Sequence, residues 1–288
     1  MASVAVLGIG RMGAAMSSRL VDAGHSVSVW NRSPAAGEAL AARCAVRVAA
    51  TPAEAVAGAE LVIGILANGA VTEAVLLDPA VLAALAPGTV VCDLGTSGVA
   101  TAHRLGAALS SQGARFVDSP VSGSVPTVLA GQLLVMASGG PEGVAAASPV
   151  LAAFAKKVAY LGPAGRGQAM KLAVNLVVFA LNSAVGEALA LARAAGVDPS
   201  DAYDVLQDSV VAAPLVSYKR AAFLDPDAPV AMSLDLALKD LDLITGFADE
   251  LGSPVPATRA VRDEVADACA AGYGDRDMAQ VFRYLTGE

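Results

Sequence analysis

The chain has 288 residues, of which 55% are hydrophobic and 16% charged, and its formal net charge is −8 at pH 7. This length is comfortable for two domains, and this composition predicts a globular chain rather than a disordered one. Three widely spaced cysteines and two histidines form no pattern typical of a protein metal site, so we expect no bound metal.

The negative charge belongs to the second half of the chain. Residues 1–163 contain nine acidic and nine basic side chains, whereas residues 164–288 contain eighteen acidic and ten basic ones. An acidic half without basic stripes argues against nucleic acids and anionic membranes as partners. Apolar runs are interrupted before 18 residues, and no basic leader precedes the first strand. We therefore expect no transmembrane helix, no signal peptide and a cytoplasmic location.

The first predicted elements form a strand, a glycine-rich turn and a helix. An apolar run at 3–7 is followed by Gly-Ile-Gly-Arg-Met-Gly at 8–13 and by a helical pattern over 12–23, and a second strand is predicted at 26–30. In dinucleotide-binding proteins such glycines make the tight turn, admit the pyrophosphate and allow close helix packing. We therefore predict cofactor contacts from Gly8, Ile9, Gly10, Arg11, Met12 and Gly13.

The end of the second predicted strand indicates which dinucleotide binds. Asn31, Arg32 and Ser33 occupy the place where an NAD-selective protein usually carries an acidic residue for the ribose 2′-hydroxyl. A guanidinium with neutral hydrogen-bonding neighbours suits a 2′-phosphate, so the segment predicts NADP. An exposed turn arginine before a helix at Ser33 and Pro34 is a compatible alternative.

Alternating strands and helices continue through the first half. Strands are predicted at 46–49, 61–66, 90–93, 132–137 and 158–161, and a helix with Thr51 as its N-cap lies between the first two. Residues at the ends of two of these strands should meet the cofactor, and these are Leu66, Ala67 and Thr96.

A turn rich in proline, serine and glycine follows a strand that begins at residue 116. Ser122, Gly123 and Ser124 supply hydroxyl and amide groups that could hold an anion such as a carboxylate. A simple loop would have a similar composition, so the two interpretations stand equal on these residues alone.

Strand patterns stop after Gly165, and a helix is predicted from residue 168 to about residue 195. Lys171 and Asn175 lie four residues apart and therefore point the same way from successive turns. They are either surface residues on the wet side of an apolar helix or the lining of a polar pocket.

The rest of the chain is predicted to be helical, over 231–251, 256–271 and 277–285. Asp198 and Asp277 are interpreted as helix caps, and Lys239 lies beside an apolar stripe. The predicted fold is α/β, with a Rossmann-type doubly wound domain over 1–163 followed by an all-α domain over 164–288. An apolar helix at 176–191 needs cover on nearly all sides, so we expect a homodimer formed through the helical domain.

Taken together, four segments resemble the β-hydroxyacid dehydrogenase family, the group that includes 3-hydroxyisobutyrate and 6-phosphogluconate dehydrogenases. The matching segments are the glycine motif from 8 to 16, D-x-P-V-S-G at 118–123, G-x-G-x-x-x-K-x-x-x-N at 165–175, and the pair Lys239 and Asp240. The four motifs occur in the same order as in the family, and the resemblance covers nearly the whole chain.

The resemblance implies an NADP-dependent oxidoreductase with a defined set of site residues. Ser122 and Gly123, with Ser124 beside them, would hold a substrate carboxylate. Lys171 would be the general acid/base, and Asn175 would bind the reacting oxygen. Lys239 would lie near both nicotinamide and substrate. The implied substrate is a small 3-hydroxyacid, semialdehyde or 2-oxoacid of the 3-hydroxyisobutyrate, 4-hydroxybutyrate or glycolate class.

Two departures from the family pattern indicate a less polar substrate pocket. Residues 124–127 read Ser-Val-Pro-Thr where many members have Gly-Ala after consecutive glycines, and Val174 replaces an asparagine. Two alternatives remain open, an imine reductase on the same fold and a non-catalytic NADP-binding module. The lysine at 171 argues against the first, because imine reductases generally lack it. The joint presence of Ser122, Lys171, Asn175 and Lys239 argues against the second.

Overall fold

The computed structural model describes residues 1–288, which divide into the compact units Met1–Lys171 and Leu172–Glu288. The helix Arg166–Ala194 begins in the first unit and continues into the second. The predicted domain boundary at residue 163 precedes this helix, whereas the division between the compact units lies within its second turn.

The first unit contains a nine-stranded sheet. Its first six strands run parallel in the spatial order β3-β2-β1-β4-β5-β6, and β8 is antiparallel to β6 and bonded to both β7 and β9. The strands are β1 (Ser3–Leu7), β2 (Ser26–Trp30), β3 (Val46–Val48), β4 (Leu61–Gly64), β5 (Val90–Asp93), β6 (Arg115–Asp118), β7 (Val121–Ser122), β8 (Leu133–Gly139) and β9 (Ala155–Tyr160).

Eight helices cover both faces of this sheet. Successive residues of β1 alternate between two apolar cores, since Val4 and Val6 belong to one core while Ala5 and Leu7 belong to the other. This confirms the predicted doubly wound fold. The helices are α1 (Arg11–Asp22), α2 (Pro34–Ala41), α3 (Pro52–Val56), α4 (Gly69–Leu76), α5 (Pro79–Ala84), α6 (Val99–Ser111), α7 (Val125–Leu129) and α8 (Pro141–Leu151).

The predicted strand at 158–161 in fact begins earlier, at Ala155. Lys156 and Lys157 are exposed within β9, so their charges interrupt the apolar pattern on which the prediction rested. By contrast, Thr51 is the N-cap of α3 as predicted, because its side chain accepts a hydrogen bond from the Glu54 amide.

The second unit is helical, which confirms the predicted all-α domain. Its core joins Leu189, Tyr203, Phe223 and Phe282 with smaller apolar side chains. The helices are α9 (Arg166–Ala194), shared with the first unit, α10 (Pro199–Asp208), α11 (Pro214–Leu224), α12 (Leu234–Leu251), α13 (Pro256–Ala268) and α14 (Val281–Thr286), with a π-helical turn at Cys269–Tyr273 and a 3₁₀ turn at Met278–Gln280.

Asp277 does more than the predicted capping. Its carboxylate accepts a hydrogen bond from the Ala279 amide, as a cap would, and it also forms a 2.6 Å ion pair with the buried ammonium of Lys219. The amides of Ala231 and Met232 donate to its other oxygen. Helix α12 begins at Leu234 rather than at residue 231 as predicted, because Ser233 is extended and caps it by accepting a hydrogen bond from the Leu236 amide.

Helix α9 is long and apolar enough, judged by length and composition alone, to cross a membrane. This was not predicted from the sequence, because Asn175, Asn182 and Glu187 interrupt the apolar runs of the helix. The core helix of a globular protein meets the same criterion. In the most apolar 18-residue stretch of α9, 44% is buried within the structure.

The buried ion pair of Lys219 and Asp277 predicts a large loss of stability when one partner is neutralised. Asp277→Asn removes the negative charge beside a buried ammonium, which typically costs about 3–5 kcal/mol. Urea unfolding followed by the helical circular dichroism signal measures the loss. Asp242→Asn is the matched control, because Asp242 pairs with Arg262 on the surface, and its midpoint should remain close to native. A native-like midpoint for Asp277→Asn would contradict the prediction.

Candidate active site

The glycine-rich turn connects β1 to α1 at the point where the strand order reverses. A Cβ at Gly8 would lie 2.3 Å from the Ile65 carbonyl oxygen, and one at Gly13 would lie 2.0 Å from the Gly8 carbonyl oxygen. Both positions therefore require glycine. Gly10, by contrast, faces open space, and α1 begins there with no side-chain cap and no acidic residue in its first turn.

This uncapped helix start fits the phosphates of a dinucleotide. The N-terminus of a twelve-residue helix carries partial positive charge and unpaired amide donors, which favour an anion. It also lies at the carboxyl end of β1, beside β4, where open α/β sheets bind their ligands. Ile9, Arg11 and Met12 line the same turn, so the six residues predicted from the motif lie together in the structure.

The three residues after β2 have different surroundings. The Asn31 carboxamide accepts a hydrogen bond from the Ile9 amide at 3.0 Å and donates one to the Ser33 carbonyl at 3.1 Å. It therefore ties the end of β2 to the glycine-rich turn, a role the sequence did not reveal. Arg32 is exposed and makes no hydrogen bond or ion pair, and Ser33 is exposed at the N-cap of α2 without a side-chain capping bond.

Leu66, Ala67 and Thr96 follow the carboxyl ends of β4 and β5, which are neighbours in the sheet. The two segments are in close contact, since a Cβ at Gly95 would lie 3.1 Å from the Leu66 carbonyl oxygen. These residues therefore share the sheet edge that carries the glycine-rich turn. The structure brings all the predicted cofactor residues of the first unit to this one edge.

The predicted substrate turn forms the end of β7 and the start of α7. Ser122 is half-buried and pairs with Leu134 of β8. Gly123 has φ +141° and no room for a side chain, because a Cβ would lie 2.5 Å from the Leu133 side chain. Ser124 is the N-cap of α7, and its hydroxyl lies 3.3 Å from that of Thr127. The turn thus has a fixed backbone with Ser122 partly accessible.

A buried polar network holds the first turn of α9. The Asp118 carboxylate accepts hydrogen bonds from the Gly165 amide (3.1 Å), the Gln168 amide (3.0 Å) and the Ser138 hydroxyl (2.8 Å). The Ser138 hydroxyl accepts one from the Gly167 amide at 2.9 Å. Burial raises the pKa of Asp118, and the hydrogen bonds from Gln168, Ser138 and Gly165 act in the opposite direction.

Gln168 connects this turn to the segment that contains Thr96. Its side-chain oxygen accepts hydrogen bonds from the Ser97 and Gly98 amides, both at 3.1 Å, and its side-chain nitrogen donates to the Gly95 carbonyl at 2.8 Å. Lys171, half-buried, lies three residues later on the same side of the helix. Gln168 was not predicted as a site residue, although it lies between Gly167 and Lys171 within the motif.

In the second unit, Asp240 connects the other two predicted residues. Its carboxylate accepts a 2.7 Å hydrogen bond from the Asn175 side-chain nitrogen and pairs with the Lys239 ammonium at 2.7 Å. Asn175 and Asp240 are both buried, at 5% and 3% exposure. An amide oxygen cannot face a carboxylate favourably, so Asp240 fixes the orientation of the Asn175 carboxamide. Asp240 belongs to the motif with Lys239, but the sequence predicted no role for it.

No group of three or more His, Cys, Asp or Glu residues is placed to hold a metal ion. Cys92, the buried cysteine, has a pKa raised by burial to about 12, so it behaves as a small hydrophobic residue.

Comparison with known proteins agrees with the order of these motifs. Residues 3–162 match the family model described as the NAD binding domain of 6-phosphogluconate dehydrogenase. Residues 165–285 match the model described as NAD-binding of NADP-dependent 3-hydroxyisobutyrate dehydrogenase. The two models together extend over nearly the whole chain.

Individual relatives match over their full length. Glyoxylate/succinic semialdehyde reductase 1 of Arabidopsis thaliana is 30% identical over 96% of both chains. The solved 3-hydroxyisobutyrate dehydrogenase of Mycobacterium tuberculosis with L-serine is 33% identical, with a TM-score of 0.86 and 99% of both chains covered.

Two further solved structures show how the likeness varies. The 3-hydroxyisobutyrate dehydrogenase of Salmonella typhimurium has a TM-score of 0.92 at 29% identity, over 99% of this chain and 100% of that one. A reductive aminase from Aspergillus terreus with NADPH and ethyl levulinate has a TM-score of 0.65 at 25% identity, over 99% of both chains. The chain therefore belongs to the β-hydroxyacid dehydrogenase family of NAD(P)-dependent oxidoreductases, which act on CH–OH groups.

Proposed function

We propose that this enzyme transfers hydride between NADP(H) and a small 3-hydroxyacid, semialdehyde or 2-oxoacid, with Lys171 as the general acid/base. The observation that carries the proposal is the attachment of the Lys171 helix to the cofactor edge of the sheet. Gln168, one turn before Lys171, binds three backbone groups of the segment that contains Thr96. An ammonium beside the nicotinamide edge is where a carbinol oxygen needs a proton-transfer group.

Each polar residue then has a role in the reaction. The bound nicotinamide accepts or supplies the hydride. Lys171 takes the proton from the substrate hydroxyl during oxidation and returns it to the carbonyl oxygen during reduction. Asn175 donates a hydrogen bond to that oxygen, since its carboxamide nitrogen has a second N–H beyond the one given to Asp240.

The remaining residues bind the anionic end of the substrate. Ser122 with the amides of Gly123 and Ser124 holds the carboxylate, and the Lys239 ammonium, paired with Asp240, donates hydrogen bonds close to substrate and nicotinamide. Val174, on the helix between Lys171 and Asn175, presents an apolar side chain where an amide would favour more polar substrates. We therefore expect a substrate from the 3-hydroxyisobutyrate, 4-hydroxybutyrate or glycolate class.

NADP is the proposed cofactor because no acidic residue follows β2 and because Arg32 is exposed without a partner. Two of the similar proteins support NADP. The family model matched by residues 165–285 is described as that of an NADP-dependent enzyme, and the reductive aminase was solved with NADPH. A guanidinium at this position can bind the 2′-phosphate that NAD lacks.

We expect Arg32→Ala to weaken NADPH binding about 10- to 100-fold, the value of a hydrogen bond to a charged group, while NADH binding stays nearly unchanged. Fluorescence titration of both cofactors measures the two affinities. Arg43→Ala, an exposed arginine beyond α2, is the matched control and should alter neither. Tighter binding of NADH than of NADPH by the native protein would reject NADP as the cofactor.

Lys171→Ala should lower kcat by about 10² to 10⁴ while NADPH affinity stays close to native, because only a transition-state interaction is lost. Lys171→Arg should not restore activity, since a guanidinium does not release its proton near neutral pH. Small primary amines added to the alanine variant should restore part of it. Exposed Lys156→Ala provides the matched control, with native turnover expected.

The assay follows NADPH absorbance with glyoxylate, succinic semialdehyde, methylmalonate semialdehyde, tartronate semialdehyde and a cyclic imine. Near-native turnover of an acid substrate by Lys171→Ala would make Lys171 a structural residue. Imine reduction is the second candidate function, favoured by the structural likeness to the reductive aminase, and turnover of the imine alone would select it.

We propose that the chain forms a homodimer through its helical unit. The support is apolar surface without cover in that unit, where Val177 and Leu191 on α9 are 61% and 74% exposed and Val205 on α10 is 68% exposed. Val177 and Leu191 lie fourteen positions apart and so share one side of α9. A helical face of this kind is typically covered by a second copy in symmetric oligomers.

Light scattering at micromolar concentration should give the mass of a dimer for the native chain. Leu191→Glu should reduce that mass towards the monomer, because a buried interface would exclude the added carboxylate. Leu129→Glu changes an exposed leucine on α7 of the first unit and should leave the dimer intact. A monomer mass for the native chain rejects the proposal.

The charge of the chain bears on its location and its partners. We propose a cytoplasmic enzyme whose partner is a small-molecule substrate, without nucleic acid or membrane partners. The support is the excess of acidic side chains after residue 163, which would repel phosphate-rich surfaces.

A further inference from the structure

The Gln168 side chain is fully buried, and its hydrogen bonds go to a single segment of the first unit. The carboxamide accepts from two consecutive amides, Ser97 and Gly98, and donates to the carbonyl of Gly95. All three partners lie about seventy residues away in the chain. None of them belongs to α9, so this side chain does not serve as a cap for its own helix.

Residues 95–98, to which Gln168 is bonded, are also bonded to a second buried side chain. The Asp93 carboxylate accepts hydrogen bonds from the Gly95 amide at 3.1 Å and from the Ser97 hydroxyl at 2.6 Å. Thr96 therefore lies between two residues whose backbones are fixed by buried polar groups. Movement of this segment would leave buried donors and acceptors without partners, which is costly.

The start of α9 is fixed independently by Asp118 and Ser138. These side chains bind the amides of Gly165, Gly167 and Gln168, the donors that a helix start leaves unsatisfied. Secure capping therefore does not require the Gln168 carboxamide. Its three bonds instead set the distance and rotation of the first helical turn relative to the segment with Thr96.

Helix geometry transmits this setting to Lys171. Residues three apart lie on the same side of a helix and about 4.5 Å apart along its axis. A shift of the Gln168 turn would move the Lys171 ammonium by a similar amount, and displacements of about 1 Å can cost about 10²-fold in rate. Asp118 ties the turn to the end of β6, and Gln168 adds the attachment to residues 95–98 after β5.

We propose that Gln168 is a positioning residue that keeps the Lys171 ammonium in register with the cofactor-contacting segment around Thr96. The proposal rests on the proposed function, in which Lys171 transfers the proton. Gln168 is fully buried, with its carboxamide bonded to residues 95–98, and it acts through the placement of Lys171.

A double-mutant cycle tests this role. Gln168→Met has nearly the same length but neither donates nor accepts as the carboxamide does, and it should lower kcat about 10- to 100-fold with little change in KM. The dependence of kcat on pH should also change, because the limb that reports ionisation of the acid/base group should move to a different pH. Loss of a purely structural residue would not cause this shift. In a Lys171→Ala background the same change should lower kcat by no more than about twofold, because the group it positions is gone.

Gln168→Glu is the second variant, in case Gln168→Met does not fold. A carboxylate still accepts from the Ser97 and Gly98 amides but does not donate to Gly95, so its kcat should lie between native and Gln168→Met. The matched control is Asn182→Leu on the same helix, whose buried carboxamide donates to the Met278 carbonyl at 2.9 Å. It should lower the unfolding midpoint without altering kcat or its pH profile.

The two hypotheses fail in different ways. If Lys171→Ala is impaired and the Gln168 and Lys171 effects multiply, Gln168 is only structural and the positioning role is overturned while the proposed function stands. If Gln168→Met and Gln168→Glu keep native kcat and a native pH profile, the positioning role is likewise overturned. If Lys171→Ala is near native, both the proposed function and the positioning role are overturned.

Discussion

One buried carboxylate, Asp118 at the end of β6, determines where the longest helix begins. A carboxylate removed from water is costly unless hydrogen bonds replace its hydration, and here two backbone amides and the Ser138 hydroxyl supply them. The amides belong to the N-terminus of α9, where the helix dipole favours negative charge. The sheet and the helix therefore stabilise each other at this point, and Gln168 completes the placement of the first turn through its bonds to residues 95–98.

Two glycines make that close approach possible. A Cβ at Gly167 would lie 2.5 Å from the Met136 carbonyl oxygen, and Gly165 combines φ +92° with a Cβ position 2.5 Å from the His103 ring. Only residues without side chains let the backbone come within reach of Asp118. The glycines of the motif at 165–175 and the hydrogen bonds of Asp118 and Ser138 thus form one arrangement. This arrangement sets the direction in which α9, with Lys171, extends from the sheet.

The features that the sequence predicted well are those that depend on nearby residues. The strand and turn at β1, the caps at Thr51 and Asp198, and the shared face of Lys171 and Asn175 follow from local spacing. The partners of Gln168 and Asp240 lie seventy and sixty-five residues away, so local patterns contain no sign of them. The cap at Asp277 was likewise predicted correctly because it is local, whereas its bond to Lys219, 58 residues away, left no local sign.

The buried carboxylates of this chain orient other residues of the site. Asp118 and Asp240 are both buried, and each is bonded to groups that orient residues of the site rather than exposed to a ligand. Lys239 balances the charge of Asp240. The buried Asp240 carboxylate therefore adds little net negative potential around Lys239. A free carboxylate there would repel the anionic substrate proposed above. Acids can thus hold the Lys171 turn and the Asn175 amide in place, because Asp240 is paired with Lys239 and one oxygen of Asp118 accepts three hydrogen bonds.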